Sequence, residues 1–397
     1  MILNAVEIKP DVYWVGGIDW DLRNFHGYQT PGGTTYNAYL IKDKKIVLID
    51  TVKHYLFDEM MSRIKDVIDP KKIDVIISNH VEMDHSGSLP KIKEYIPDAT
   101  VVTSTRGEKG LQKHYTEDLN LKVMKSGESL NIGDRTLEFL HMPMVHWPDS
   151  MATYSLHDKL LLPNDAFGQH IASAERFDDD LGWSLVRSEA AKYYANIVLP
   201  YGDQVTKVLD AVKDLSIDMI APSHGVIWRS YLKEIIQEYQ QWSTFTPKKK
   251  AVIIYDSMWG STKTLAYALA EGIEKTGMPV TLRNLTTTHV SDIVTDIMES
   301  RLICLGSPTL NNGMMPSMGS LLTYVKGLRP RNKLGFLFGS YGWGGQALTE
   351  MEKMIEPLQW TFPEEHLNIN YIPQQEDLKK IQNIGKSLGN DIKKNNM

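Results

Sequence analysis

Residues 79–90 read N-H-V-E-M-D-H-S-G-S-L-P, and they follow the apolar run I-D-V-I-I-S at 73–78. The run has the length and β-branched content of a buried strand. The turn after it places His80, Glu82, Asp84 and His85 within six residues. Imidazole and carboxylate donors so concentrated at a strand end are the makings of a metal site. One loop seldom fills a coordination sphere, so further ligands are expected from elsewhere in the chain.

Later strands end in the same way. T-L-E-F-L-H-M-P-M-V-H supplies His146, K-L-L-L-P-N-D supplies Asp165, and M-I-A-P-S-H-G supplies His224. Loops at one edge of a layered α/β scaffold converge, so ligands from distant segments can meet there. Seven donors are too many for one tetrahedral zinc ion. They suit two metals that share a bridging carboxylate and keep open positions. His85 could bind directly or leave a water in its place. His141, inside a strand, reads as structural, and His114 and His157 read as surface residues.

The polar connector T-P-K-K-K, before the apolar run A-V-I-I-Y, marks a division near residue 248, giving domains 1–248 and 249–397. The first part is rich in short strands, among them 35–41, 46–50, 100–104, 136–141, 152–156, 159–162 and 218–221, with a helix over 56–66. Helices separate only some of these strands, which predicts a mixed α/β sandwich. The second part alternates strand and helix from Ala251 to the closing helix 376–394, which predicts a doubly wound parallel sheet.

That second part opens with V-I-I-Y-D-S-M-W-G-S-T-K-T, a strand running through a small-residue turn into a helix. Residues Ser257, Met258, Trp259, Gly260, Ser261 and Thr262 form a cradle for a phosphate monoester, built from helix N-terminal amides and hydroxyls. The turn is neither a Walker A loop nor a G-x-G-x-x-G fingerprint. Two more loops follow the third and fourth strands. The first contains Ser307, Pro308, Thr309, Asn311, Asn312 and Gly313. The second contains Ser340, Tyr341, Gly342, Trp343 and Gly344. All three belong at the carboxyl edge of the sheet, where such folds bind ligands.

The first-part motifs resemble the metallo-β-lactamase superfamily over roughly residues 10–245, with Asp50 in L-I-D-T at the superfamily's structural aspartate. In that superfamily the first motif is His-x-His-x-Asp-His, and here Glu82 replaces its second histidine. Carboxylate in place of imidazole favours iron over zinc. The His-x-Glu-x-Asp-His form is similar to that of flavodiiron proteins, and the second-part loops resemble the FMN loops of flavodoxins. The resemblance implies an αββα sandwich followed by a flavodoxin-like sheet, with two non-haem irons and FMN. It implies His80, Glu82 and His146 on one iron, Asp84, His85 and His224 on the other, and Asp165 as the bridge.

The same resemblance implies reduction of O2 to water or of NO to N2O. Electrons would come from an outside donor such as rubredoxin or a reduced deazaflavin, in a head-to-tail homodimer or a dimer of dimers. His26 and His170 are candidates for hydrogen-bond or proton donors over the metals. Trp147, Phe167, Tyr193 and Tyr194 are candidates for the pocket wall. The rival readings are a dizinc hydrolase with a flavodoxin-like tail and a pure electron carrier.

The bulk properties agree. A chain of 397 residues exceeds one typical core, and 42% hydrophobic with 23% charged residues is ordinary for a globular protein. A net charge of −6 argues against nucleic-acid and anionic-membrane partners. No basic and apolar leader opens the chain and no apolar run has membrane-spanning length, so a cytoplasmic location is expected. The single cysteine, Cys304, excludes an iron–sulfur cluster held by the chain's own thiolates.

Overall fold

The structure is a computed structural model that describes residues 2–394. The chain divides into two compact units. One runs through Tyr194 and takes up Asp203–Gln240, and the other comprises Ala195–Gly202 and the chain from Gln241 onward.

The first unit contains a seven-stranded and a five-stranded sheet. In the larger sheet, strands Ile46–Ile49, Ile73–Ser78, Thr100–Ser104 and Leu121–Met124 run parallel. Val6–Lys9, Val12–Trp14 and Tyr39–Ile41 extend it antiparallel. The smaller sheet takes Ser129–Asn131, Thr136–His141, Met151–Ser155 and Leu160–Leu162 antiparallel, then Met219–Ile220 parallel.

Strand alternation decides which side chains meet. Tyr39, Ile41, Val47, Ile49, Val75 and Ile77 share one core with Leu137, Phe139, Met151, Leu160 and Leu162 of the smaller sheet. Ala38, Leu40, Leu48 and Ile76 point the other way, onto Phe57, Met60 and Ile64 of the helix Phe57–Val67 and onto Leu89 and Ile92. Sheet packs on sheet and helix on sheet, which is the sandwich expected. Each fully buried aliphatic or aromatic side chain stabilises this arrangement by about 1.5–3 kcal/mol before entropy is counted.

The single strand expected over 35–41 is two strands in different sheets. Thr34–Tyr36 pairs with Gly17–Asp19, while Tyr39–Ile41 joins the large sheet. Asn37 makes the break, because its own amide bonds Ser223 O (2.8 Å) and its Nδ2 bonds Pro222 O (2.8 Å) and Gly225 O (3.0 Å). The strand expected over 218–221 is only Met219–Ile220.

The second unit holds a five-stranded, wholly parallel sheet. In spatial order it runs Val280–Asn284, Lys248–Tyr255, Ser300–Pro308, Leu334–Tyr341, Leu367–Asn370. The order reverses between Lys248–Tyr255 and Ser300–Pro308, which opens a crevice at their carboxyl ends. The helices Ser261–Glu274 and Gln375–Lys394 pack together. A Cβ on Gly272 would lie 2.2 Å from Gln382 O, so only glycine permits that approach. Among the described residues, no helix is long and apolar enough to cross a membrane.

Candidate metal centre and flavin cleft

The donors predicted from the sequence converge. His80 and its neighbours follow the strand Ile73–Ser78, with Glu82 at the head of the single turn Met83–Ser86 that carries Asp84 and His85. His146 lies in the loop between Thr136–His141 and Met151–Ser155, Asp165 follows Leu160–Leu162, and His224 follows Met219–Ile220. Two groups form, His80–Glu82–His146–Asp165 and Asp84–His85–His224, with the ligand atoms of each within 4.8 Å of one another.

Asp165 joins the groups. Its Oδ2 faces His146 Nε2 (3.2 Å) and His80 Nε2 (3.6 Å), while Oδ1 faces His85 Nε2 (3.0 Å) and His224 Nε2 (3.3 Å). Glu82 Oε2 closes the first group at 3.3 Å from His80 Nε2 and 3.4 Å from His146 Nε2. Asp84 closes the second, with Oδ1 3.4 Å from His85 Nε2 and Oδ2 3.3 Å from His224 Nε2.

Both oxygens of Asp84, both oxygens of Asp165 and both ring nitrogens of His85 are buried without a hydrogen-bond partner. Orphaned buried acceptors each cost about 1–3 kcal/mol or more, and here their lone pairs converge. The mixture of imidazole and carboxylate fits two cations with a shared carboxylate between them.

Without cations, protons balance the charge. Burial opposes a proton on His146, but the adjoining Asp165 and Glu82 carboxylates outweigh it and push its pKa up to about 9. His224 is likewise lowered by burial yet raised to about 10 by Asp165 and Asp84. Burial would raise Asp165, and the His85 charge with the three imidazole contacts holds it well below the carboxylate range. At neutral pH both histidines therefore carry a proton that a metal must displace. His80, although burial opposes it, is also raised well above its ordinary value by Asp149 and Glu82, so metal uptake should release about three protons per chain at pH 7, read with an indicator dye in weak buffer. Apparent affinity should climb as pH rises toward 9–10, where the imidazoles lose those protons unaided.

The other ring nitrogens are aimed by groups that the sequence analysis did not single out. His80 Nδ1 bonds Asp149 Oδ2 (2.8 Å), which also accepts from Val81 N (2.8 Å). His224 Nδ1 donates to Thr35 O (2.8 Å). Such partners set the tautomer that leaves Nε2 free to ligate. Asp149 had one faint signal, its place three residues after His146. Asp50, in a left-handed conformation (φ 55°), accepts from Asn79 N (2.8 Å), Asn79 Nδ2 (3.2 Å) and Asn164 Nδ2 (3.2 Å), tying the loops before His80 and Asp165.

His26 is exposed and places Nε2 3.1 Å from Glu82 Oε1. His170 is buried, with Nδ1 on the Thr34 hydroxyl (2.8 Å) and its ring 5.0 Å from that of His224. Burial, with the His224 charge, holds its pKa well below normal, so it is a neutral imidazole outside both ligand groups. Trp147 meets His80 edge-on (5.1 Å) and Tyr193 faces His170 (5.1 Å). Phe167 and Tyr194 instead pack on Tyr239, at 4.2 and 5.1 Å. His141 Nε2 bonds Met124 O (2.9 Å), and His114 and His157 are exposed.

In the second unit a cleft of about 610 Å³ lies at the switch point. Its walls come from all three predicted loops: Ser257, Met258, Trp259 and Ser261 from the first, Pro308, Thr309, Asn311 and Asn312 from the second, and Ser340 to Gly344 from the third. Tyr371 and Ile372, which the sequence analysis missed, complete the rim.

Four predicted residues shape the loops without lining the cleft. Gly260 (φ 92°) turns the chain into the helix Ser261–Glu274, and buried Thr262 Oγ1 bonds Ser340 Oγ (2.9 Å). Ser307 Oγ accepts from Met315 N (3.0 Å), and Gly313 closes a bridge with Leu310. At the start of the helix Ser261–Glu274, Ser257 Oγ accepts from Gly260 N (3.1 Å) and Lys263 N (3.4 Å), which draws the loop around a helix N-terminus of the kind that binds a phosphate. Volume, a helix N-terminus and position fit FMN.

Residues 34–225 match the ODP family beta lactamase and residues 253–384 match flavodoxin. The nitric oxide reductase of Moorella thermoacetica is 44% identical, over 96% of this chain and 98% of that protein. The solved rubredoxin oxygen:oxidoreductase of Desulfovibrio gigas superposes with a TM-score of 0.96 at 38% identity, covering 98% of this chain and 99% of that one. The solved flavodiiron protein of Giardia intestinalis does so with a TM-score of 0.96 at 34% identity, over 99% and 97%. With both of its units and nearly its whole length so matched, the chain belongs to the flavodiiron protein family.

Proposed function

We propose that this protein reduces O2 to water, NO to N2O, or both, at a diiron centre in residues 1–248 fed by FMN in residues 249–397. The observation that carries the reading is Asp165, whose two oxygens serve two separate ligand groups. The names of the relatives, a nitric oxide reductase and a rubredoxin oxygen:oxidoreductase, support both gases. Glu82 in place of imidazole speaks against the dizinc hydrolase.

His80, Glu82 and His146 would hold one iron and Asp84, His85 and His224 the other, with Asp165 on both. His85 is read as a direct ligand because its Nε2 lies 3.0 Å from Asp165 Oδ1 and 3.4 Å from Asp84 Oδ1, within the second donor group. Two ferrous ions held by these residues would supply electrons to the gas, and FMN held by the three loops of the second unit would supply electrons in turn. Around the ions, Asp149 and the Thr35 carbonyl orient His80 and His224. His26 steadies Glu82 from the solvent side, and neutral His170 packs behind His224.

Rubredoxin is the donor favoured by the name of the Desulfovibrio gigas relative, and a reduced deazaflavin is the alternative. A head-to-tail homodimer, alone or as a dimer of dimers, in the cytoplasm completes the reading, with no nucleic-acid or membrane partner. Protein isolated without oxygen should contain one FMN and two irons per chain and consume NO or O2 when reduced. Two zincs, with no gas consumption after iron reconstitution, would return the chain to the hydrolases. Glu82→His should lower iron content and gas consumption together, by roughly 10–100-fold in affinity for the metal. Unchanged iron binding would contradict the role given to Glu82.

A further inference from the structure

Asp165 and His224 come from different loops, yet the second donor group brings Asp165 Oδ1 within 3.3 Å of His224 Nε2. One side chain stitches the two loops together. Gln169 is wholly buried, and both polar atoms of its amide are bonded across the gap. Its Oε1 accepts from Val226 N (2.8 Å), and its Nε2 donates to Val226 O (3.2 Å) and to Phe167 O (3.0 Å). Its own backbone N–H donates to His224 O (3.3 Å).

Thr35 grips the same turn from the other side. Its hydroxyl accepts from Gly225 N (2.7 Å) and donates to Gly225 O (3.1 Å), while its carbonyl takes His224 Nδ1. Gly225 is left-handed (φ 79°), and a Cβ there would fall 2.1 Å from Gln169 Oε1, which leaves room for glycine alone. On the Asp165 side, Phe167 is held left-handed (φ 67°). Its N–H donates to the Tyr239 hydroxyl (2.7 Å), and its carbonyl accepts from Gln169 Nε2 and from Trp228 Nε1 (2.8 Å). Gly168 N closes the turn on Asp165 O (3.0 Å).

We propose that Gln169 is a positioning residue that sets the spacing of Asp165 and His224, and through it the hold of the second metal position and the coupling of the two ions. The inference rests on the ligand assignment proposed above. Gln169 belongs to neither donor group and acts only through the two loops. By bonding both the N–H and the C=O of Val226, it fixes the chain beside His224 in translation and in rotation. His80 and Glu82 stand on another loop, where Asp149 aims His80. The first position therefore depends on Gln169 only through Asp165.

The test removes the donor half of the stitch. Gln169→Glu keeps the shape and the acceptor for Val226 N, but it brings no N–H, so the carbonyls of Phe167 and Val226 lose their shared donor. Metal-free protein with its FMN retained is titrated with ferrous iron without oxygen. The wild type should show two binding steps. In the variant one step should stay as it is and the other should weaken about 10–100-fold. Anomalous scattering from half-loaded crystals of the variant should place the iron on His80, Glu82 and His146. With both positions filled at excess iron, Mössbauer spectroscopy should show weaker magnetic coupling between the ions than in the wild type.

Gln169→Met, of similar length and without charge, should split the two steps in the same direction, which separates the lost bonds from the added anion. Tyr239→Phe takes away another bond of the same loop, the one to Phe167 N, and should lower the melting temperature without splitting the steps. Wild-type binding and coupling in both Gln169 variants would overturn the inference. Equal weakening of both steps, or the same split in Tyr239→Phe, would also overturn it, because Gln169 would then be one structural bond among several. A wild-type chain that takes up fewer than two irons would instead take down the ligand assignment, and the inference with it.

Discussion

Asp165→Asn is expected to abolish the paired metal site. Iron should fall from two per chain to one or fewer and gas consumption by more than about 100-fold, with FMN retained. Asp165 is buried between the two ligand groups and presents a different oxygen to each, at 3.2 Å from His146 and 3.0 Å from His85. Asparagine has nearly the same shape but one oxygen and one amide nitrogen, and that nitrogen carries two hydrogens and no available lone pair. One group therefore loses its shared ligand, and two cations held close together lose the anion between them. Iron and flavin analysis of the purified variant, beside anaerobic NO and aerobic O2 consumption, checks this. Two irons per chain with wild-type consumption would remove Asp165 from the bridging position.

Asp50→Ala should destabilise the first unit by about 3–5 kcal/mol and lower its metal content, although Asp50 belongs to neither ligand group. Its carboxylate is buried and receives three amide hydrogens, two from Asn79 and one from Asn164. Alanine leaves those donors without acceptors in a dry interior, and each carries its own desolvation cost. Asn79 directly precedes His80, and Asn164 directly precedes Asp165, so loosening the knot lets both ligands drift. Against the typical stability of a folded protein, a loss of this size is a large part of the total. Denaturant unfolding of the variant, followed by tryptophan fluorescence, measures it, and a loss under about 1 kcal/mol would show that water or a rotated amide replaces the carboxylate.

The two predictions separate what residue types declare from what contacts decide. His80, Glu82, Asp84, His85, His146, Asp165 and His224 were legible because ligand chemistry belongs to the side chain itself, and because each follows a strand that its own apolar pattern reveals. The three flavin loops were legible for a like reason, since a parallel sheet must return each strand to the same edge. Less was legible where one residue was asked to end a strand. Asn37 splits the run 34–41 between two sheets, and it does so with partners at 222–225 that nothing local announces. The excursion of Ala195–Gly202 into the second unit likewise left no mark in the composition.

By itself, then, the amino-acid sequence determined the fold class, the order of the two modules and the donors able to hold metal. Those depend on periodicity and side-chain chemistry, which are local. Only the tertiary structure decided that Asp149 aims His80 across 69 residues and Thr35 aims His224 across 189, and that Tyr371 and Ile372 rim the flavin cleft. A hydrogen bond between residues so far apart depends on where two independently folded loops come to rest. That position is set by the packing of the sheets beneath them, and no short stretch of sequence carries it.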